Sequence, residues 1–132
     1  MKKILFITLI LLGFVPLQAQ NTQKMKIRLA EISIVPEYKD IYLQKAKKVG
    51  ALSVEREAGV ICIFPMVMQD NPLQVRIIEI YKDEAAYQQH IQSAHFLEYK
   101  NSTLKMVKDL KLIEMDALDP EAMQTIFKKL EN

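Results

Sequence analysis

The chain has 132 residues, half of them hydrophobic, with 18 basic and 16 acidic side chains and a formal charge of +2. That length fits one compact domain and leaves no room for two. The near balance of charge argues against nucleic acid as a partner, because a polyanion binder carries a clustered basic surplus.

The opening stretch, "MKKILFITLILLGFVPLQAQ", has Lys2 and Lys3, an uncharged apolar run from Ile4 to Val15, and a small residue at Ala19. This is the layout of a secretory signal peptide over residues 1–20, and it is set aside from fold reasoning. The apolar run is short for a bilayer span. Cleavage after Ala19 or Gln20 is expected; an uncleaved anchor is the alternative. No cysteine lies near the cut, so nothing indicates a lipid-anchored precursor. The expectation is an exported protein, periplasmic or secreted, with no stable membrane insertion once the leader is removed. Its loss deletes two lysines and no acid, leaving 18 − 2 = 16 basic against 16 acidic residues.

After a polar lead-in, "IRLAEISIV" from Ile27 to Val35 is rich in β-branched residues and partly alternates, which predicts a strand. Pro36 ends it. A helix is predicted from about Glu37 to Glu57, with Tyr42, Ala46, Val49 and Leu52 on one apolar stripe and Lys39, Lys45, Lys47 and Lys48 on a solvated face. Ala58-Gly59 stops it. "VICIFPMVM" from Val60 to Met68 predicts a second strand, and Pro65 marks it as an edge or a bulge. "QDNP" at Gln69–Pro72 is a turn. "LQVRIIEIY" from Leu73 to Tyr81 is the third strand. Asp83 caps a helix to about His90, a further helical stretch holds His95 to Val107, and "LKLIEMDAL" from Leu110 to Leu118 is the fourth strand. Asp119-Pro120 opens a last helix with Met123, Ile126, Phe127 and Leu130 on one stripe.

The order β-α-β-β-α-β is that of the ferredoxin-like split βαβ, an α+β fold with a four-stranded antiparallel sheet and helices on one face. The domain spans residues 27–117, and residues 118–132 form a C-terminal helical extension. In the second strand Val60, Cys62, Phe64, Met66 and Met68 alternate with Ile61, Ile63 and Val67, so both faces are apolar. Two helices cannot cover both sides of the sheet. A second copy of the same sheet is the simplest cover, which predicts a homodimer with a shared interior. Cys62, the only cysteine, reads as a small buried hydrophobe rather than a catalytic thiol.

Four motifs carry a family resemblance: "EREAGVICIF" (Glu55–Phe64), "QDNP", "EIYKDEAAYQQH" (Glu79–His90) and "SAHF" (Ser93–Phe96). In this order and spacing they resemble the antibiotic-biosynthesis-monooxygenase family of the dimeric α/β-barrel superfamily. The family usually has Pro where this chain has Ala58. The resemblance implies a dimer of ferredoxin-like subunits with a cavity between each sheet and its helices. It implies oxidation of small aromatics or quinols by O₂ with no metal or flavin cofactor; other relatives degrade haem or have no known activity. A phenol deprotonated in an apolar pocket donates an electron to O₂ readily, so the protein need supply a base, a dry cavity and orientation. The haem-degrading branch fits poorly. Its members carry a Trp where His90 stands and an iron-ligating His where Lys100 stands, and this chain has no Trp.

Both histidines fall in the second helical region. On one continuous helix, residues five apart point roughly 140° apart, so His90 and His95 cannot share a metal unless the helix breaks between them. No metal site is expected. His90, on a face with Ala86 and Tyr87, is the candidate base toward a phenolic hydroxyl; the structural reading is a histidine bonded to a backbone carbonyl. His95 is a candidate ligand contact, or fixes the helix junction or a dimer contact. Tyr81 and Tyr87 are candidate pocket walls or core residues with a wet tip. Phe64 and Met66 are candidate lining for a small apolar or aromatic ligand, and Met66 and Met68 equally suit core filling. Glu79, in phase with Val75, Ile77 and Tyr81, reads as a cross-strand ion pair with Arg28 or Arg76. The alternative to an enzyme is a non-catalytic, small-ligand-binding or stress-related dimer of the same fold.

Overall fold

The computed structural model describes residues 24–131; the predicted leader, residues 1–20, lies outside them. Four strands, β1 (Lys26–Ile34), β2 (Val60–Val67), β3 (Gln74–Tyr81) and β4 (Val107–Met115), form one antiparallel sheet in the order β2-β3-β1-β4. Between them lie α1 (Lys39–Arg56), α2 (Glu84–His90) and α3 (Ala94–Thr103), and α4 (Ala122–Lys128) follows the sheet. This is the predicted ferredoxin-like order. Among the described residues no helix is long and apolar enough to cross a membrane.

Helix and strand ends depart from the sequence reading by a few residues. A 3-10 turn over Pro36–Tyr38 precedes α1. The predicted helix through Val107 stops at Thr103, whose Oγ1 bonds the carbonyl of Tyr99 at 2.8 Å, and a second 3-10 turn leads into β4 at Val107. Pairing of Val107 with Ile34 draws the strand start three residues earlier than predicted.

The sheet buries one face under α1 and α3. Ala30, Ile32 and Ile34 of β1 and Val75 and Ile77 of β3 meet Tyr42 and Ala46 of α1 and Met106 in a single core. The hydroxyls of Tyr42 and Tyr99 hydrogen-bond at 2.6 Å, so the fully buried Tyr42 leaves no polar atom unpaired. The α1 stripe is rotated slightly from the predicted one: Ser53 is buried in place of Leu52, its Oγ returned to the Val49 carbonyl at 2.7 Å.

The predicted phase of β2 needs correction. Its register against β3 shifts between Val60 and Cys62, so one residue is inserted at Ile61. A bulge of this kind reverses the alternation beyond it. Val60 therefore shares the helix-covered face with Ile63, Pro65 and Val67, while Cys62, Phe64 and Met66 pair with Ile80, Ile78 and Arg76 on the opposite face. Cys62 is half-buried rather than fully buried, and its partial burial raises the thiol pKa.

That opposite face is divided. Cys62, Phe64, Ile78, Ile80, Leu29, Ile27, Ile113 and Met115 make one apolar half. Glu31 and Arg76, 3.7 Å apart, and Ser33 with Gln74 make a polar half. Phe64 is 57% exposed. The helical extension is equally uncovered: none of the α4 residues is buried, and Ile126, Phe127 and Leu130 stand exposed. Asp119 accepts from the Ala122 N–H at 3.2 Å in the turn before α4, whose N-cap residue is Glu121, two residues beyond the predicted cap.

Two glycines let layers close up. A Cβ on Gly50 would come 3.0 Å from the Ile63 carbonyl oxygen, so α1 packs directly on the β2 backbone. A Cβ on Gly59 would meet the Ala86 methyl at 2.5 Å. Neither glycine has a positive φ: α1 ends at Arg56 with Glu57 extended, and Gly59 serves the close approach to Ala86 rather than a left-handed cap. Gly59→Ala should lower stability by about 1–3 kcal/mol through overpacking. Chemical denaturation would show this as a lower midpoint; an unchanged midpoint would contradict the close approach. Burial raises the pKa of the Tyr42 phenol, and burial together with Glu79 raises that of Tyr81. Their protonated forms stabilise the fold fully below the unfolded phenol value of about 10, and that contribution is lost as pH rises beyond it. Alkaline titration should therefore show their phenolate absorbance appearing only together with unfolding.

Candidate functional site

The end of α1, the end of α2 and the start of α3 converge on one carboxylate. Glu57 leaves α1 in an extended conformation (φ −112, ψ 105). Its N–H returns to the Ser53 carbonyl at 3.1 Å and its own carbonyl accepts from Val60 at 3.0 Å, which fixes the direction of the side chain. Its Oε2 lies 2.8 Å from Nδ1 of His90 and 2.7 Å from Nε2 of His95.

Two histidines five residues apart meet because the helix breaks between them. α2 ends at His90, and Ser93 starts α3 by accepting from the Phe96 N–H at 3.3 Å. Ser93 also ties the two helices together: its N–H and its Oγ both donate to the His90 carbonyl, at 3.0 and 2.7 Å. The condition under which the sequence allows both imidazoles to reach one point is thus met. One atom from each of Glu57, His90 and His95 lies within 4.8 Å of the others, a donor set of two imidazoles and a carboxylate.

Hydrogen bonding alone accounts for this cluster. A carboxylate only accepts, so each facing nitrogen carries the proton. Ser93 Oγ, whose hydrogen goes to the His90 carbonyl, lies 3.2 Å from Nε2 of His95 and can only accept from it. His95 therefore holds its proton on Nε2, shared between Glu57 and Ser93. His90 donates through Nδ1. Its residue is 3% exposed, and among the described residues no buried side-chain nitrogen or oxygen lacks a partner. The remaining nitrogen, Nε2, makes no hydrogen bond among the described residues and is not wholly shut off from solvent. Aromatic rings surround the imidazole: Tyr81 at 5.4 Å and Phe96 at 4.9 Å between centroids.

Tyr81 joins this cluster to a second one. Its hydroxyl donates to Oε2 of Glu79 at 3.1 Å, and Arg28 bonds the same oxygen through Nε and Nη2 at 3.3 and 3.1 Å. The ion pair expected from the phase of Glu79 is made with Arg28 across β1 and β3, while Arg76 turns to the other face beside Glu31. Arg28 also donates to the Tyr87 hydroxyl at 3.1 Å and stacks 4.4 Å above its ring. Both members of the pair are largely buried. Removing one alone strands a charge, at a cost of about 3–5 kcal/mol.

An apolar groove lies apart from these clusters, and none of their residues lines it. It has a volume of about 450 Å³ and runs between α1 and the edge strand β2, lined by Leu43, Ala46, Gly50, Val54, Ile63 and Val67 with Lys47 as its one charged residue. Phe64 and Met66 contribute to its rim from the edge, although the register turns them toward the sheet's uncovered face, away from His90. Glu57 lies three residues, just under one turn, beyond Val54, the last α1 residue of the groove. The structure thus brings His90, His95, Tyr81 and Tyr87 into one neighbourhood and leaves Phe64 and Met66 outside it. The sequence reading passed over Glu57 and Arg28 as site residues. A carboxylate just before Ala58-Gly59, at a helix end, was the available signal for Glu57.

Residues 25–102 match the family model for antibiotic biosynthesis monooxygenase. A structure from Bacteroides thetaiotaomicron, named for the same monooxygenases, is 39% identical over 74% of this chain and 93% of its own, with a TM-score of 0.73. A Nitrosomonas europaea protein of the same designation (18% identity, 74% and 94% coverage, TM-score 0.69) and a Pseudomonas aeruginosa protein (20%, 74% and 97%, 0.68) share the fold. No curated protein matches. A model match over more than half of the chain, together with a relative at 39% identity, establishes that the chain belongs to the antibiotic biosynthesis monooxygenase family.

Proposed function

We propose that the protein is a monooxygenase that oxidises a small aromatic or quinol-type substrate with O₂ and needs no bound cofactor. Family membership supports the reaction class. The observation that carries the reading is the free Nε2 of His90, held by a carboxylate on its other side and ringed by Tyr81 and Phe96. An imidazole in that setting can take a phenolic proton near neutral pH. The phenoxide that results is the electron-rich form O₂ attacks. For a quinol the balance closes without an outside reductant: quinol and O₂ give a hydroxyquinone and water, one oxygen atom entering each product. The apolar groove along α1 offers a dry bed for the rest of the ring system.

A second reading is a non-catalytic, small-ligand-binding dimer. It is favoured by one observation: the apolar groove along α1 holds no titratable side chain except Lys47.

Oxygen uptake with a panel of hydroquinones separates the two. His90→Ala should lower the rate by about 10²–10⁴-fold, the range of a general base, and His95→Ala by much less. Full activity and an unchanged pH profile in both variants would dismiss the catalytic role of His90. Ligand binding without oxygen uptake would select the second reading.

The working form in this proposal is a homodimer. The apolar half of the open sheet face supports it, since none of its eight large or sulfur-bearing apolar residues is fully buried in one chain and Phe64 and Met115 stand exposed. Light scattering at micromolar concentration should give twice the chain mass, and Phe64→Asp should give a folded monomer. A monomeric parent protein would refute the dimer.

A further inference from the structure

We infer that Glu57 is a positioning residue that selects which nitrogen of His90 is free to act as a base, and that His95 serves to hold Glu57 rather than to touch the substrate. The inference rests on the phenol-oxidising reading above and adds the chain's own means of setting up that chemistry.

A neutral imidazole carries one proton and can place it on either nitrogen; the hydrogen bond made by one nitrogen decides the state of the other. Left alone, the ring prefers the proton on Nε2, which would leave nothing basic at the one ring nitrogen without a protein partner. The Oε2 of Glu57 at 2.8 Å from Nδ1 reverses this preference, because a carboxylate can only accept. Nε2 then keeps its lone pair. When a phenolic O–H breaks, its proton forms the new N–H bond at Nε2 and the electron pair stays on the phenoxide oxygen. The ring becomes an imidazolium facing a carboxylate, and no further reactant is needed for this step.

Glu57 must itself be held for this to work, and its neighbours hold it. Its backbone is fixed from both sides by Ser53 and Val60. His95 donates to the same Oε2 at 2.7 Å, and its own tautomer is fixed by Ser93, whose hydrogen is already committed to the His90 carbonyl. The chain Ser93–His95–Glu57–His90 thus has one consistent arrangement of protons. That arrangement gives His95 a role that leaves its side chain nothing to offer a ligand through Nε2.

The chain has only two histidines, so ¹⁵N-histidine labelling of the full protein gives a spectrum of two imidazoles, assigned with His95→Gln. In the parent protein His90 should show the proton on Nδ1 and His95 the proton on Nε2. Glu57→Ala should return His90 to the Nε2-protonated form or a mixture, and should lower kcat for quinol oxidation about ten-fold or more with KM little changed. Glu57→Gln retains a carbonyl oxygen that can accept from both rings, so it should preserve the Nδ1-protonated state and recover most of the rate. A parent protein whose His90 carries its proton on Nε2 overturns the inference. So does a Glu57→Ala variant with unchanged tautomer and unchanged kcat, while the loss of rate in His90→Ala would leave the functional reading intact. Because the tautomer is read without substrate, a protein that oxidises no phenol overturns the functional reading alone.

Discussion

One carboxylate oxygen joins three chain segments that are otherwise separate. Glu57 at the end of α1 receives His90 from the end of α2 and His95 from the start of α3, at 2.8 and 2.7 Å. The residues concerned are nearly buried, so each bond forms where water cannot replace it and an unpaired partner would be costly. The clamp therefore fixes how the α2–α3 corner sits against α1. It also explains why the corner exists. Were the helix continuous, the two imidazoles would diverge, and Glu57 could satisfy only one of them. Ser93 makes the break by capping α3 and closing on the His90 carbonyl.

The second buried cluster works on the same face by a different balance. Arg28 and Glu79 sit opposite each other on adjacent strands, and Tyr81 and Tyr87 supply further hydrogen bonds to the pair. A buried ion pair without such support adds little to stability, since desolvation offsets the attraction. Here Arg28 donates three hydrogen bonds within the cluster and Tyr81 a fourth. The network gives the interior beneath α2 a polar floor, next to an apolar groove along α1.

The uncovered parts of the molecule form a coherent set. The apolar half of the open sheet face and the exposed stripe of α4 are both surfaces that one chain does not bury. Short helices gain most of their stability from packing, and α4 buries none of its residues among those described. The polar half of the open face, with Glu31 paired to Arg76, limits where that surface can lie.

Much of the fold was legible in sequence because it depends on local signals. Strand periodicity, the Asp83 cap and the Pro65 edge signal each act within a few residues, and they sufficed for element order and the ferredoxin-like topology. The phase of Glu79 against Tyr81 was legible for the same reason. The insertion at Ile61 was not, because a bulge is fixed by pairing with β3 and leaves no mark in an all-apolar run. That single residue decided that Phe64 and Met66 face away from His90. The meeting of Glu57 with both histidines was likewise a tertiary outcome. These residues stand 33 and 38 positions apart, and their distances depend on how α1 packs on the sheet at Gly50 and on α2 at Gly59. Sequence determined which side chains could do proton chemistry; only the packing of three helix ends on one sheet face decided which nitrogen is left free to do it.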